Sequence, residues 1–236
     1  MSVCTTLPRG ATRTAKTHAV VTELVRGHGA KVVLDAACGT GTLAQALHAL
    51  GLHVSCLDVA PDAVFPAGTR GIHADLNARL PLDDGAFEAI VCVEGVEHVE
   101  NLHHLFREFA RLLAPGGLAV VTTPNILSVR SRWKYFMTGR FAKFSDFVPA
   151  QDVKSPHVRG HINPVGYPEI DHALRLAGFR VEGVHANHLV HYGKLRAILA
   201  RWLFGWRRPK HHPHHETLLR DELLFGENLI VAARKA

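Results

Sequence analysis

Apolar residues follow two different periods along this chain, and the two alternate. Short aliphatic runs predict strands buried on both faces, whereas apolar residues spaced three or four positions apart predict amphipathic helices. Strands are predicted at 31–34, 52–57, 71–74, 89–93, 118–123, 179–184 and 228–233, and the main helices at 15–27, 43–50, 101–113 and 167–177. Strands that alternate with helices predict an α/β fold with a doubly wound sheet and right-handed crossovers.

A glycine turn joins the first predicted strand to the helix that follows it. Residues 31–42 read KVVLDAACGTGT, so Asp35 ends the strand and Gly39 and Gly41 form the turn. Glycines there let the backbone pass close to a ligand at the carboxyl end of the strand. The spacing G-x-G-x-T differs from the dinucleotide pattern G-x-G-x-x-G, and the acid at Asp35 argues against a pyrophosphate. A plain tight turn is the alternative.

The run LDAACGTG at residues 34–41 resembles the first motif of the class I S-adenosylmethionine-dependent methyltransferases. This resemblance implies a Rossmann-like, mostly parallel seven-stranded sheet with an antiparallel last strand, and S-adenosylmethionine as cofactor. It also implies that the glycine turn packs against the methionine part of the cofactor and that Asp35 orients it. The predicted cofactor-binding residues are Asp35, Ala37, Gly39, Gly41, Asp58, Val59, Asp75, Leu76 and Val93.

Two more acids follow predicted strands and suit a nucleoside. Asp58 ends the second strand, where a carboxylate can accept hydrogen bonds from both ribose hydroxyls. The alternative for Asp58 is a helix cap, because Pro61 and Asp62 follow it closely. The family resemblance implies that Asp75 and Leu76 contact the adenine amino group and ring.

Acidic and imidazole side chains gather where the fourth predicted strand ends, in CVEGVEHVEN. If the chain becomes helical there, Glu94, Glu97 and His98 lie on one face beside the methyl donor. Two carboxylates and an imidazole suit magnesium, manganese or zinc, and a bound cation lowers the pKa of a coordinated hydroxyl. Without a metal, the glutamates would line the pocket or cap the next helix, and His98 would be a general base or a hydrogen-bonding wall.

This E-x-x-E-H pattern resembles that of ubiquinone-pathway and small-RNA O-methyltransferases, in which such residues hold a divalent metal. The RNA enzymes add a later histidine after a T-P-N turn, an order matched here by Thr123-Pro124-Asn125 and then His157 or His161. The rest of the RNA pattern around that histidine is absent. The resulting candidate metal ligands are Glu94, Glu97, His98 and His161, and the candidate catalytic residues are His98, Glu97 and His161. A turn-stabilising role is the alternative for His161, which precedes Asn163-Pro164.

Two basic stretches interrupt the regular pattern of a single domain that covers residues 1–236. Regularity is lost from residue 126 to about 160, and we interpret 126–165 as an inserted lid. Residues 190–216 form a basic amphipathic cap segment, in which the apolar side of a helix over 194–208 either packs on the core or meets lipid headgroups. The histidine-rich tract 211–215 is interpreted as a polar loop. Residues 1 to about 14 are predicted to be a loose arm.

Composition narrows the function classes. No apolar run in the 236 residues reaches the length of a membrane span, and the N-terminus lacks the apolar core of a signal peptide, so a cytoplasmic protein is expected. Four cysteines without a C-x-x-C make disulfides and a cysteine zinc site unexpected. The formal charge of +6 gathers at 130–143 and 194–210, which predicts a basic surface for RNA, an anionic membrane or a phosphorylated substrate.

These observations favour an S-adenosylmethionine-dependent methyltransferase that acts on a hydroxyl of a small-molecule, lipid-linked or glycan acceptor. One alternative is ribose 2′-O-methylation of RNA, with the basic aromatic lid contacting phosphates and bases. The other is a binding module that keeps the fold and the cofactor without catalysis. Contact with a membrane surface through residues 194–208 is a further expectation.

Overall fold

A computed structural model of the chain describes residues 11–60, 63–144, 160–191, 193, 198–199, 201–202 and 214–236. Seven strands and seven helices are assigned there, together with a 3-10 helix at Val96–His98. The strands are β1 (Val32–Ala36), β2 (His53–Asp58), β3 (Arg70–His73), β4 (Phe87–Val93), β5 (Leu113–Pro124), β6 (Phe179–Ala186) and β7 (Asn228–Lys235). The helices are α1 (Arg13–His28), α2 (Thr42–Ala49), α3 (Leu102–Leu112), α4 (Val129–Thr138), α5 (Tyr167–Leu176), α6 (His215–Leu218) and α7 (Asp221–Phe225).

The strands form one sheet in the order β3-β2-β1-β4-β5-β7-β6. The first five strands run parallel, and β7 is antiparallel to both β5 and β6. The seven-stranded, mostly parallel fold predicted from the sequence is therefore confirmed. The strand order reverses direction between β1 and β4, and in open α/β sheets the crevice at such a point binds ligands at the carboxyl ends of the strands.

Both faces of the sheet are covered, which explains the continuous aliphatic runs of its central strands. On one face, Leu34 and Ile90 pack with Phe106 and Phe109 of α3. On the other face, Val33 belongs to a second core that includes residues of α1 and α2. Each residue along a central strand thus enters one of the two cores alternately, and this burial fixes the register of the strand ends that form the site.

The prediction that regular structure is lost after residue 126 is wrong for α4, a ten-residue helix. Its only buried residue is Ser131, so the helix carries no apolar stripe for a periodicity argument to detect. The end signals are nevertheless present, because the Ser128 hydroxyl accepts a hydrogen bond from the Ser131 amide and Gly139 closes the helix at φ 69°. Residues 145–159, including His157, and most of 190–216 lie outside the described residues, and the lid and cap divisions stay predictions.

Other elements differ less from expectation. Thr12 caps α1, which therefore begins inside the arm predicted for residues 1–14. Cys38, Cys56 and Cys92 are buried free thiols. Within the described ranges, no helix combines the length and the apolar character that crossing a bilayer requires.

The T-P-N turn at the end of β5 joins that strand to the C-terminal part of the sheet. The Asn125 side-chain amide donates hydrogen bonds to the carbonyls of Glu222, Leu223 and Gly226 at 3.0–3.2 Å. Its Oδ1 accepts a hydrogen bond from the Leu127 amide at 3.0 Å. Asn125 is buried, so this one side chain satisfies backbone groups that water does not reach.

We expect Asn125→Ala to lower the free energy of unfolding by about 3 kcal/mol, because it leaves several buried backbone groups without partners. The matched change is Asn101→Ala, which removes only the cap of α3 and should cost about 1 kcal/mol. Urea unfolding of both variants measures the difference. Equal losses would contradict the structural role assigned to Asn125.

Candidate active site

A cleft of about 460 Å³ opens at the carboxyl ends of β1, β2 and β4. The switch in strand order brings these three ends together, so residues far apart in sequence share one wall. Eight of the nine predicted cofactor-binding residues line it: Asp35, Ala37, Gly39, Asp58, Val59, Asp75, Leu76 and Val93. Gly41 is not in the lining. A cavity of this size holds a ligand as large as a nucleoside with an amino-acid side arm.

The glycine turn uses its two glycines for different purposes. Both have positive φ, 51° at Gly39 and 70° at Gly41, a conformation that disfavours other residues. A methyl group added at Gly39 would meet nothing within 4 Å, which leaves the space beside the cleft open. A methyl group at Gly41 would lie 2.5 Å from the Val64 carbonyl and 2.7 Å from Pro66. Gly39 therefore faces the ligand space, whereas Gly41 allows close packing beneath the turn.

Asp58 ties the end of β2 to this turn. Its Oδ2 accepts a hydrogen bond from the Gly39 amide at 2.7 Å, and its Oδ1 accepts one from the Ala60 amide at 2.9 Å. The described residues that follow, 59–60 and 63–69, contain no helix, so Asp58 caps none there. The carboxylate is half-buried, lines the cleft and keeps lone pairs for further donors.

Asp35 lies at the base of the cleft and is only 1% exposed. Its Oδ2 has no hydrogen-bond partner among the described residues. Burial, reinforced by Cys56 and Asp58, raises the pKa of Asp35 to about 8. A buried acceptor without a partner is costly, so this carboxyl group is suited to a cationic or hydrogen-donating ligand.

Several residues on the cleft wall were not predicted from the sequence, among them three polar ones. Thr14 and His18 lie one turn apart on α1, and Asn77 follows β3. Asn77 donates to Asp75 Oδ1 from its side chain at 2.9 Å and accepts from the Glu100 amide at 2.7 Å, which fixes the position of Asp75 in the cleft wall. Burial lowers the pKa of His18 and favours its neutral form. The sequence contained one signal for Thr14 and His18: two polar residues at helical spacing, which lie on the same face of a helix.

Glu97, His98 and His161 come together at the other end of the cleft. One ligand atom from each lies within 4.8 Å of the other two. The His98 and His161 rings are 4.9 Å apart between centroids, and Phe144 packs edge-on against His161 at 5.3 Å. His98 also lines the cofactor cleft. The group therefore lies beside the place where a bound methyl donor would end.

Backbone hydrogen bonds hold His161 opposite the 3-10 helix. The amides of Ile162 and Asn163 both donate to the Glu97 carbonyl at 3.0 Å, and the Asn163 side chain donates to the Val99 carbonyl at 3.3 Å. The turn at 161–163 is thus pinned to residues 97–99. The two proposed roles of this segment, stabilising a turn and presenting His161, are compatible.

Glu94 does not join the group of three. The expectation that residues 94, 97 and 98 share one helical face is wrong, because Glu94 has φ 52° and the 3-10 helix begins only at Val96. Its backbone amide donates to Thr122 Oγ1, and the Thr122 hydroxyl donates to Glu94 Oε1, each at 3.0 Å. Glu94 is thereby tied to β5, where it lines the cofactor cleft.

Burial controls the protonation of Glu97 and His161. Glu97 is fully buried, and neither of its carboxyl oxygens makes a well-aligned hydrogen bond in the described part of the chain, although the Thr123 hydroxyl and the Glu97 backbone act to lower its pKa. Burial, with repulsion from Glu94, raises the pKa of Glu97 to about 8. Burial and the neighbouring His98 lower the pKa of His161, whose Nδ1 is buried without a partner. Near neutral pH the site therefore offers a protonated carboxyl group and a neutral imidazole.

Comparison with known proteins identifies the family. A family model described as a methyltransferase domain matches residues 12–184, which is most of the chain. The chain therefore belongs to this methyltransferase family, and the resemblance of LDAACGTG to the class I S-adenosylmethionine-dependent enzymes is confirmed. The match contains the cofactor cleft and the Glu97, His98 and His161 group.

Curated relatives and solved structures agree with this assignment. A ubiquinone biosynthesis O-methyltransferase of Xanthomonas oryzae pv. oryzae is 34% identical over 102 residues, 39% of this chain and 43% of the relative. A protein of the same name from Xylella fastidiosa is 37% identical over 105 residues, 39% of this chain and 42% of the relative. These matches span less than half of each relative's length. An S-adenosylmethionine-dependent methyltransferase from Archaeoglobus fulgidus shares the fold, with a TM-score of 0.60 and 18% identity over 92% of this chain and 94% of that one.

We expect the contribution of Asp35 to the stability of the ligand-free protein to fall as the pH rises from about 4 to about 8. The pKa of Asp35 is about 8 in the folded protein, above its ordinary value of 3.8, so the folded state holds a proton that the unfolded chain releases. The loss is at most ~1.4 kcal/mol per pH unit from this group. Asp35→Asn should flatten the dependence, and exposed Asp83→Asn should leave it unchanged. Urea unfolding across this range measures both, and an unaltered slope in Asp35→Asn would contradict the raised pKa.

Proposed function

We propose that this protein transfers a methyl group from S-adenosylmethionine to a hydroxyl oxygen of a small-molecule, lipid-linked or glycan acceptor. The observation that carries the proposal is the position of His98, which lines the cofactor cleft and also belongs to the Glu97, His98 and His161 group. A donor in the cleft and an acceptor at that group would therefore be neighbours. The O-methyltransferase relatives support oxygen as the acceptor atom.

The cleft residues suit the three parts of the cofactor. Gly39 leaves room for the methionine arm, and Asp35 offers an unpartnered carboxyl oxygen for its cationic amino group. Asp58 can accept hydrogen bonds from the ribose hydroxyls in addition to its two backbone donors. Asp75 and Leu76 line the part assigned to adenine. The cationic ligand would favour the ionised form of Asp35 and so lower its pKa on binding.

Methyl transfer from a sulfonium is an in-line displacement, so the protein chiefly aligns the donor and the acceptor. The bond between the donor sulfur and the methyl carbon breaks as the acceptor oxygen bonds to that carbon. The hydroxyl proton must leave, and neutral His161, with its lowered pKa and unpartnered Nδ1, is suited to accept it. His98 is the alternative base because it is nearer to the donor cleft.

The same three residues fit a divalent cation. Glu97 and His161 present buried polar atoms without partners, and His98 completes a group of one carboxylate and two imidazoles. Two imidazole nitrogens favour zinc over magnesium, which prefers oxygen ligands. A cation held there would lower the pKa of a coordinated acceptor hydroxyl. Glu94, outside this group, would instead shape the pocket through Thr122.

Two other partners are carried forward as proposals. The RNA alternative is supported by α4, which exposes Trp133 and Phe136 among basic residues. This alternative predicts salt-sensitive RNA binding that is abolished by charge reversal of Arg130, Arg132 and Lys134. Peripheral membrane contact is supported by Ile198, Leu199 and Trp202, whose side chains are exposed. A cofactor-binding scaffold would bind S-adenosylhomocysteine and methylate no acceptor.

The two glycines of the turn provide a matched test of the cofactor site. Gly39→Ala should leave stability within about 1 kcal/mol but weaken S-adenosylhomocysteine binding at least about tenfold, because its methyl group enters the ligand space. Gly41→Ala should instead destabilise the fold by more than about 2 kcal/mol, since its methyl group collides with backbone. Calorimetric titration and urea unfolding separate the two effects. Unchanged binding in Gly39→Ala would exclude the cleft as the cofactor site.

The acceptor group is tested by supplying S-adenosylmethionine with an isotope-labelled methyl group to a cell extract and identifying labelled products by mass spectrometry. We expect label on an oxygen and a loss of about a hundredfold or more in Glu97→Gln, with cofactor binding retained. Glu94→Gln should lose less, because Glu94 lies outside the group of three.

A zinc titration of both variants reports on the metal independently of activity. Binding lost in Glu97→Gln and kept in Glu94→Gln supports ligation by Glu97. Full methyl transfer after exhaustive chelation would remove the metal from the mechanism, and label found only on nitrogen or carbon would refute the oxygen acceptor.

A further inference from the structure

A second cavity, of about 130 Å³, lies where α1 and α4 meet the ends of β5 and α7. Four basic residues line it: Arg13, Arg130, Lys134 and Lys143. Glu227 is the acidic residue among the described lining residues, so positive groups outnumber negative ones by four to one. Arg13 is separated from the others by more than a hundred positions, and the fold therefore creates this concentration of charge.

The acid in the lining, Glu227, compensates the charge of the two arginines only weakly. Glu227 Oε1 lies 3.7 Å from Arg13 Nη1 and 4.0 Å from Arg130 Nη1, and both arginine side chains are well exposed. Exposed ion pairs at such distances contribute little. The Lys143 ammonium donates to a neutral amide, Asn228 Oδ1, at 2.6 Å, and its charge also acts to lower the pKa values of the buried Glu94 and Glu97. Four cations held around one small space repel one another, and a bound anion would relieve that repulsion.

The size of the cavity is compatible with a phosphate anion. A space of about 130 Å³ is large enough to hold a single phosphoryl group. Arginine binds phosphate oxygens through two parallel N–H donors, and lysine supplies a compact charge. Arg130 and Lys134 are four residues apart on α4, so their side chains reach the cavity from the same face of that helix.

Residues 143 and 144 connect this cavity with the proposed acceptor group. The Lys143 side chain lines the cavity, whereas its backbone acts to raise the pKa of the His161 ring. The next side chain, Phe144, packs against that same ring. Lys143 also has φ 68°, a strained conformation that fixes the direction of its side chain relative to the backbone. A group bound in the cavity would therefore be separated from the proposed base, His161, by residues 143 and 144.

We propose that this cavity binds the phosphoryl group of the methyl acceptor, which places a hydroxyl of the same molecule at Glu97, His98 and His161. The inference rests on the proposed function for the identity of the molecule, but the phosphoryl site itself does not require catalysis. It makes the acceptor a phosphorylated small molecule or a phosphate-linked carrier. A nucleic-acid strand would need a row of such sites, and this cavity holds one group.

The test is a titration of the full chain with inorganic phosphate, in which phosphorus NMR measures the binding. We expect Arg130→Glu and Lys134→Glu each to weaken phosphate binding at least about tenfold, since each removes a charged donor and adds a repulsive carboxylate. Arg107→Glu on α3 makes the same change of charge at an exposed site outside the cavity, and it should stay within about twofold of the original protein.

The outcomes separate this inference from the proposed function. Phosphate binding that is absent, or weakened equally by Arg107→Glu, while S-adenosylhomocysteine binds normally, overturns the phosphoryl site alone. If the original protein binds phosphate, the two cavity variants do not, and the original protein binds no S-adenosylhomocysteine, the phosphoryl site is supported and the methyltransferase proposal is overturned.

The source of the phosphoryl group is distinguished with glycerol 3-phosphate, with phosphatidylcholine vesicles containing phosphatidic acid, and with a single-stranded RNA oligonucleotide. Binding of glycerol 3-phosphate that depends on Arg130 supports a soluble acceptor. Binding only to the vesicles, with the same dependence, supports a lipid-linked acceptor. Binding only to RNA overturns the proposal.

Discussion

Two buried carboxyl groups, Asp35 and Glu97, line the proposed donor and acceptor space, and Oδ2 of Asp35 has no hydrogen-bond partner among the described residues. Ionising either one in place is costly, which is why burial raises both pKa values to about 8. The site is therefore organised to receive positive charge. A sulfonium cofactor with an ammonium group at one end, and a proton or a metal cation at the other, are ligands that this electrostatic arrangement favours.

Backbone strain is concentrated at the same places. The described part of the chain holds three non-glycine residues at positive φ, and these are Ala37, Glu94 and Lys143. Ala37 lies in the cofactor turn, Glu94 ends β4 at the cleft, and Lys143 lines the basic cavity. Such conformations persist only when the surrounding structure stabilises them, and they occur preferentially at binding and catalytic sites. Their distribution supports one connected functional region built from the cleft and the second cavity.

The sequence predicts most residues of the cleft that lie at the strand ends because their signals are local. A buried strand, an acid and a glycine turn lie within twelve residues, and the sheet order then brings Asp58 and Asp75 to the same edge. The acceptor side depends on features without a local signal. One residue in a left-handed conformation, Glu94, removes a predicted ligand from its helical face. The contact of His161 with the 3-10 helix, and the meeting of Arg13 with α4, are long-range consequences of the fold.

A continuous series of contacts links the T-P-N turn to the acceptor base. Asn125 holds the carbonyls of residues 222–226, which fixes the start of β7. Asn228, the first residue of that strand, accepts a hydrogen bond from Lys143, and the next residue, Phe144, packs against His161. The turn thus contributes to the acceptor site without touching a substrate. This explains how a motif at the end of β5 and a histidine 36 positions later can belong to one arrangement.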